Sequence, residues 1–234
     1  MTSGGGTLAA RVLGVDGCKA GWVGIVLAPD EPVIGVFGQT MAELVAGVGR
    51  LDVIGIDMPI HPPDAGLRPA DAAARAHLGR KASSIFPTPA RAVLEAASYA
   101  EAGTVARRLS GRGISRQAWA LRGKILEVES WLASAPCPVH EVHPEVSFSV
   151  LAGEPIAARK SSWAGLAARR AALAAAGIVV PDDLGRAGVV AGADDVLDAA
   201  VVAWSARRIA ARNARSFPDP PELLADGGVA AIWA

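Results

Sequence analysis

Four short apolar runs stand out near the start of the chain: RVLGVD (11–16), WVGIVLA (22–28), PVIGVFG (32–38) and DVIGIDMP (52–59). Turn residues such as Asp16-Gly17 and Pro29-Asp30 separate the first three, which predicts an antiparallel meander. Between the third and fourth runs the period lengthens. Leu44, Val45 and Val48 share one helical face behind Thr40, a residue suited to the N-cap. A strand that follows such a helix is most simply placed parallel to the first strand. After residue 60 the pattern is helical and punctuated by Pro and Gly, with helices expected over Pro69–Leu78, Pro89–Ala97 and Arg116–Ala133. VHEV (139–142) predicts one more strand, and Ser162–Ala176 and Asp194 to about Arg212 predict later helices. The tail, with Pro218, Pro220 and Pro221, is expected to pack loosely. The reading is an α/β domain over 8–215, with 60–138 as a helical insertion after the fourth strand and 216–234 as a C-terminal tail.

Composition changes this picture in two places. At 234 residues and 51% hydrophobic content, the chain can build a core without disulfides or a structural metal. Its two cysteines, Cys18 and Cys137, suit neither a disulfide framework nor a four-thiolate zinc site. Reduced cysteines, no leader-like N-terminus and no apolar run of about 18 residues lead us to expect a cytoplasmic protein without a membrane segment. The 23 basic and 23 acidic residues cancel, which at first argues against nucleic acid. They are unevenly spread, however. Residues 65–126 carry eleven basic residues against three acids, a net +8, and the remainder is −8. A basic insertion on an acidic core suits a protein that holds a phosphate backbone with one part and cations with the other. Lys19, Arg68, Arg75, Lys81, Arg107 and Arg108 are the candidate substrate contacts, with solvated helix faces as the plain alternative.

The candidate chemistry is acidic. Asp16 and Asp57 each stand where an apolar strand stops, in Gly14-Val15-Asp16 and Gly55-Ile56-Asp57. Asp16-Gly17 also reads as an ordinary turn, but Met58-Pro59 after Asp57 is not a tight-turn sequence. On parallel neighbouring strands the two carboxylates would emerge side by side, where open α/β sheets place their sites. Such a pair repels unless a cation intervenes. Glu141 is a charged residue in a short strand, and His143 lies on the same face of that extended segment. Asp195 can serve as a first-turn helix acid, whereas Asp198 sits beside the core stripe of Leu197, Val201 and Trp204. Trp119, among basic residues, could stack on a base, although core packing is the plainer reading.

These stretches resemble a known family. GVDGCKAGW (14–22), IGIDMPI (54–60), RPADAAAR (68–75), SSIFPTPAR (83–91), EVHPEVSF (141–148) and DDVLDAAVVA (194–203) are similar, in order, to the predicted RNase H-like nucleases grouped as domain of unknown function 429. The resemblance implies an RNase H-like fold: a mixed five-stranded sheet whose first three strands are antiparallel. It also implies catalytic, metal-holding carboxylates at Asp16, Asp57, Asp195 and Asp198, with Glu141 as a further acid and Lys160 as a basic position of the motif. The implied activity is hydrolysis of DNA or RNA by two divalent ions, Mg²⁺ or Mn²⁺, with His143 moving a proton or orienting Glu141. Two other readings remain open: an inactive RNase H-like nucleic-acid-binding or scaffold protein, and a relative of actin-like ATPases and kinases. The latter share the sheet but need a duplicated module, and no P-loop sequence is present.

Overall fold

Strands β1 (Val12–Cys18), β2 (Gly21–Leu27) and β3 (Ile34–Gly38) form the antiparallel meander in a computed structural model of the chain. Residues 10–224 and 227–234 are described; the domain start at residue 8 and the segment read for a leader lie outside the described residues. Helix α1 (Met41–Ala46), whose N-cap Thr40 accepts from Glu43 N, leads to β4 (Val53–Ile56), which pairs parallel to β1. Strand β5 (Val139–Glu141) pairs parallel to β4. The sheet order is β3-β2-β1-β4-β5, a mixed five-stranded sheet with its first three strands antiparallel. This is the architecture that the resemblance implied.

Between β4 and β5 lie α2 (Pro69–Leu78), a 3-10 turn (Gly79–Ser84), α3 (Arg91–Leu94), α4 (Tyr99–Ser110), α5 (Arg116–Ala120) and α6 (Arg122–Leu132). After β5 come α7 (Pro144–Ala152), α8 (Trp163–Ala175), α9 (Arg186–Val190) and α10 (Ala193–Ala210). The sheet alternates as period-2 strands must. Leu13, Val15, Ile54 and Ile56 pack with α1 and α6 on one face. Val12, Val23, Ile25 and Val53 pack with α10 on the other.

The structure departs from the sequence pattern in three places. Helix α4, which the pattern does not predict, is capped by Ser98 and by Gly111 in the left-handed region, and buries only Ala102, Gly103 and Ala106. Its inner stripe of Ala102, Val105, Ala106 and Leu109 has helical spacing, but two of the four are alanines, so the stripe is small. The expected 116–133 helix is divided at Leu121, beside Gly123, and Pro89–Ala97 contracts to Arg91–Leu94 because Ser98 starts the next helix. Finally, the tail is not loose. Strands β6 (Ser216–Leu223) and β7 (Val229–Trp233) form a hairpin against α2, where Phe217, Ile232 and Ala234 pack on Ala70, Ala74 and Leu78. Its prolines occupy the stretch where the ladder shifts register between Phe217 and Glu222, so few backbone donors are missed. Among the described residues no helix is long and apolar enough to cross a membrane.

Candidate metal centre

Gly14 and Gly55 are partners in the β1–β4 ladder, and both meet α10. A Cβ on Gly14 would lie 2.0 Å from Ala203 N and 2.3 Å from Ala199 O; one on Gly55 would meet Val202 Cγ1 at 3.0 Å. The two absent side chains let the helix rest directly on the strand backbone. Two residues further along each strand, on that same face, stand Asp16 and Asp57. Asp57 N donates to Val15 O at 2.9 Å, so the ladder continues to the site itself. Because α10 lies so close, Asp198 reaches both. Side-chain oxygens of Asp16, Asp57 and Asp198 all lie within 4.8 Å of one another.

Burial and mutual repulsion dominate the electrostatics. Asp16 is almost wholly buried, and burial followed by the charges of Asp57 and Asp198 holds its carboxyl well above the usual range. Asp57 is pushed up to about 7, first by burial and then by neighbouring Glu141 and Asp195, against the pull of Lys160 and a hydrogen bond with Asp16. Asp198 is raised to about 6 by burial, although Lys160 donates to its Oδ2 at 2.7 Å. For Lys160, burial works against the charge, but Asp198, Asp16 and Asp57 together keep its ammonium raised above the ordinary lysine value. One ammonium thus faces three carboxyl groups. Asp198 Oδ1 is buried without a hydrogen-bond partner, a condition costing roughly 1–3 kcal/mol or more unless a positive group meets it. Three hard oxygen donors, excess negative charge and an orphaned buried oxygen fit a metal ion that takes oxygen ligands.

Glu141 stands apart from this trio. It pairs with Ile56 in the β4–β5 ladder, so alternation directs it to the face opposite Asp57. There Arg68 grips it with two hydrogen bonds of 2.8 and 2.6 Å, and Ile60 N donates to it at 3.1 Å. The same guanidinium holds Asp71, whose other oxygen accepts from Thr88 N at 2.8 Å. Arg68, Asp71 and Glu141 are all buried and line the same cleft, so this ion cluster joins the insertion to the sheet beside the trio. Asp195 lines the cleft, but its Oδ2 accepts from Gly192 N at 3.2 Å and closes the first turn of α10. His143 also lines the cleft; burial lowers its pKa, and its Nδ1 has no partner.

The predicted basic contacts separate into two groups. Arg68 is committed internally, Arg75 donates to the carbonyls of Ala82 and Ile85, and Lys81 pairs with Glu145 at 3.3 Å while still lining the cleft. Lys19, Arg107 and Arg108 are exposed and lie outside the cleft. Trp119 is covered by Arg122, 4.3 Å from its ring centre. Sequence reasoning missed Asp71, Thr88 and the fully buried Arg169, which pairs with Glu145. Only the i, i+3 spacing of Arg68 and Asp71 gave a signal for any of these.

The trio opens into a cleft of about 570 Å³. Its walls are the 83–88 segment of the insertion, the β5–α7 junction at 141–145, the Arg159–Ser161 turn and the start of α10. Fold and site together define an α/β protein with an oxygen-donor acidic centre at one end of a mixed sheet. Residues 14–223 match the family described as Protein of unknown function (DUF429), and the chain belongs to that family. No curated protein and no solved structure matches the chain.

Proposed function

We propose that the protein is a metal-dependent phosphodiesterase that hydrolyses nucleic acid. The observation that carries this reading is the convergence of Asp16, Asp57 and Asp198, with Asp198 Oδ1 left without a partner in a cleft open to solvent. Mg²⁺ or Mn²⁺ bound there supplies Lewis acidity toward a phosphoryl oxygen and makes bound water a stronger nucleophile at neutral pH. Asp16, Asp57 and Asp198 would hold the ion. A second ion, as in two-metal nucleases, would draw on Asp195, since Arg68 already occupies Glu141.

The remaining groups prepare the phosphate. Lys160 keeps Asp198 ionised and leaves part of its ammonium facing the cleft, where a phosphate oxygen can meet it. In the reaction a water oxygen bonds to phosphorus as the bond to the leaving oxygen breaks; the water gives up a proton and the leaving oxygen gains one. His143 lines the cleft as the candidate proton acceptor, and burial favours its neutral form; its Nδ1 is unpartnered but closed to solvent, so this role requires a group bound directly against the ring.

The test is hydrolysis of single-stranded, duplex and hybrid oligonucleotides with and without Mn²⁺, alongside thermal stabilisation by the metal. Asp16→Asn should lower the rate by at least about 100-fold and remove the stabilisation. A variant as active as the parent, or a parent indifferent to Mn²⁺, would end this reading and favour an inactive binding protein.

A further inference from the structure

Trp163 is 88% exposed, the most exposed of the large apolar side chains among the described residues. It makes no ring contact there, whereas Trp22, Trp119 and Trp204 are each faced by a cation and Trp233 by His140. Exposure of one apolar side chain is ordinary; its mounting is less so. Trp163 is the first residue of α8, and Ser162 caps that helix by accepting from Gly165 N at 3.1 Å while donating to Arg159 O at 2.7 Å. A Cβ on Gly165 would lie 1.8 Å from Arg159 O, so the missing side chain lets the 159–162 turn fold down onto the first helical turn. The backbone that carries the exposed indole is therefore held two residues from Ser161, which lines the cleft with Arg159 and Lys160.

The cleft supplies the other half of the argument. Its volume of about 570 Å³ lies within the range that encloses one small ligand, and the three carboxylates are part of its lining. A turn of duplex cannot descend into such a space, but one or two unstacked nucleotides can. Half-buried Phe86 lines the interior, and the cations of Arg159, Lys160 and Lys81 lie along the walls. An exposed aromatic two residues from a cleft that is lined by cations and a further aromatic offers the features that hold a flexible strand with its bases splayed.

We propose that the substrate is single-stranded nucleic acid, entering across the Arg159–Ser161 turn with one base stacked on Trp163. This rests on the phosphodiesterase reading for the chemistry at the carboxylates, but the strand preference can be measured without turnover. Binding of a fluorescein-labelled single-stranded 12-mer and of the matching duplex is followed by anisotropy. Ca²⁺ serves as the cation, because it accepts oxygen ligands in loose geometry. The parent should hold the single strand at least about tenfold more tightly than the duplex. Trp163→Ala should weaken single-strand binding about tenfold, Trp163→Phe should retain most of it, and both should melt at the parent's temperature. Equal affinity for duplex and single strand, or an alanine variant that binds like the parent, overturns the proposal. Either result leaves the hydrolytic reading standing if Mn²⁺-dependent cleavage that requires Asp16 persists.

Discussion

Replacing Asp57 with asparagine should stabilise the metal-free protein at alkaline pH, although it damages the site. The Asp57 carboxyl is raised from 3.8 to about 7, corresponding to on the order of 4 kcal/mol between its protonated and ionised forms. Because the native state holds the proton more tightly than the unfolded chain, this stability is complete below pH 3.8 and is lost as pH rises to about 7. Asparagine keeps the size of the group and removes the ionisation. Some of the gain is returned because the hydrogen bond with Asp16 is altered. A net gain of about 2 kcal/mol at pH 8 in EDTA would raise Tm by about 4–8 °C. At pH 5 the native carboxyl is protonated and only the first part of the loss, which accrues between pH 3.8 and about 7, has occurred, so any advantage of the variant should be much smaller than at pH 8. With Mn²⁺ at pH 8 the order should reverse, since the parent gains a ligand that the variant holds poorly. Melting curves at the two pH values, each with EDTA and with Mn²⁺, check all of this. An asparagine variant that is less stable than the parent at pH 8 in EDTA, or equally stabilised at pH 5, refutes the electrostatic account of the site.

Further outcomes follow from the same contacts. Gly14→Ala places a methyl within 2.0 Å of Ala203 N; it should cost about 3 kcal/mol or more by forcing α10 from the sheet, and abolish Mn²⁺ stabilisation in any protein that still folds. Arg68→Ala leaves Asp71 and Glu141 buried without their shared cation and should lower stability by about 3–5 kcal/mol in denaturant melts. The double change Arg107→Ala, Arg108→Ala should weaken single-strand binding and reduce its salt slope by about 1.4 if both contact phosphates; an unchanged slope returns them to plain surface.

The parts of this site that could be read from sequence are those set by local pattern. Asp16 and Asp57 are legible because each follows a buried strand, and Asp198 because an acid beside a core stripe has no ordinary reason to be there. The role of Glu141 was less accessible. Its strand register with Ile56 decides which face it takes, and its partner Arg68 lies 73 residues away in a segment whose path no local pattern shows. For the same reason, a net charge of +8 over 65–126 overstates the free positive surface. Arg68, Arg75, Lys81 and Arg91 each bond within the molecule. Charge counting sees composition and not commitment. Helix α4 and the β6–β7 hairpin escaped notice because one is built on alanine and the other on proline, residues whose signals are weak or read as breaks.

The close seat of α10 on Gly14 and Gly55 has a consequence for how the protein matures. The three carboxylates come from positions 16, 57 and 198, so the set is completed only when a helix near the C-terminal end docks on strands formed near the beginning. Such distant contacts are slow to close. A chain still being synthesised, or one with α10 undocked, presents two aspartates and no third. The acidic trio that could hold a metal ion is therefore complete only once α10 has docked.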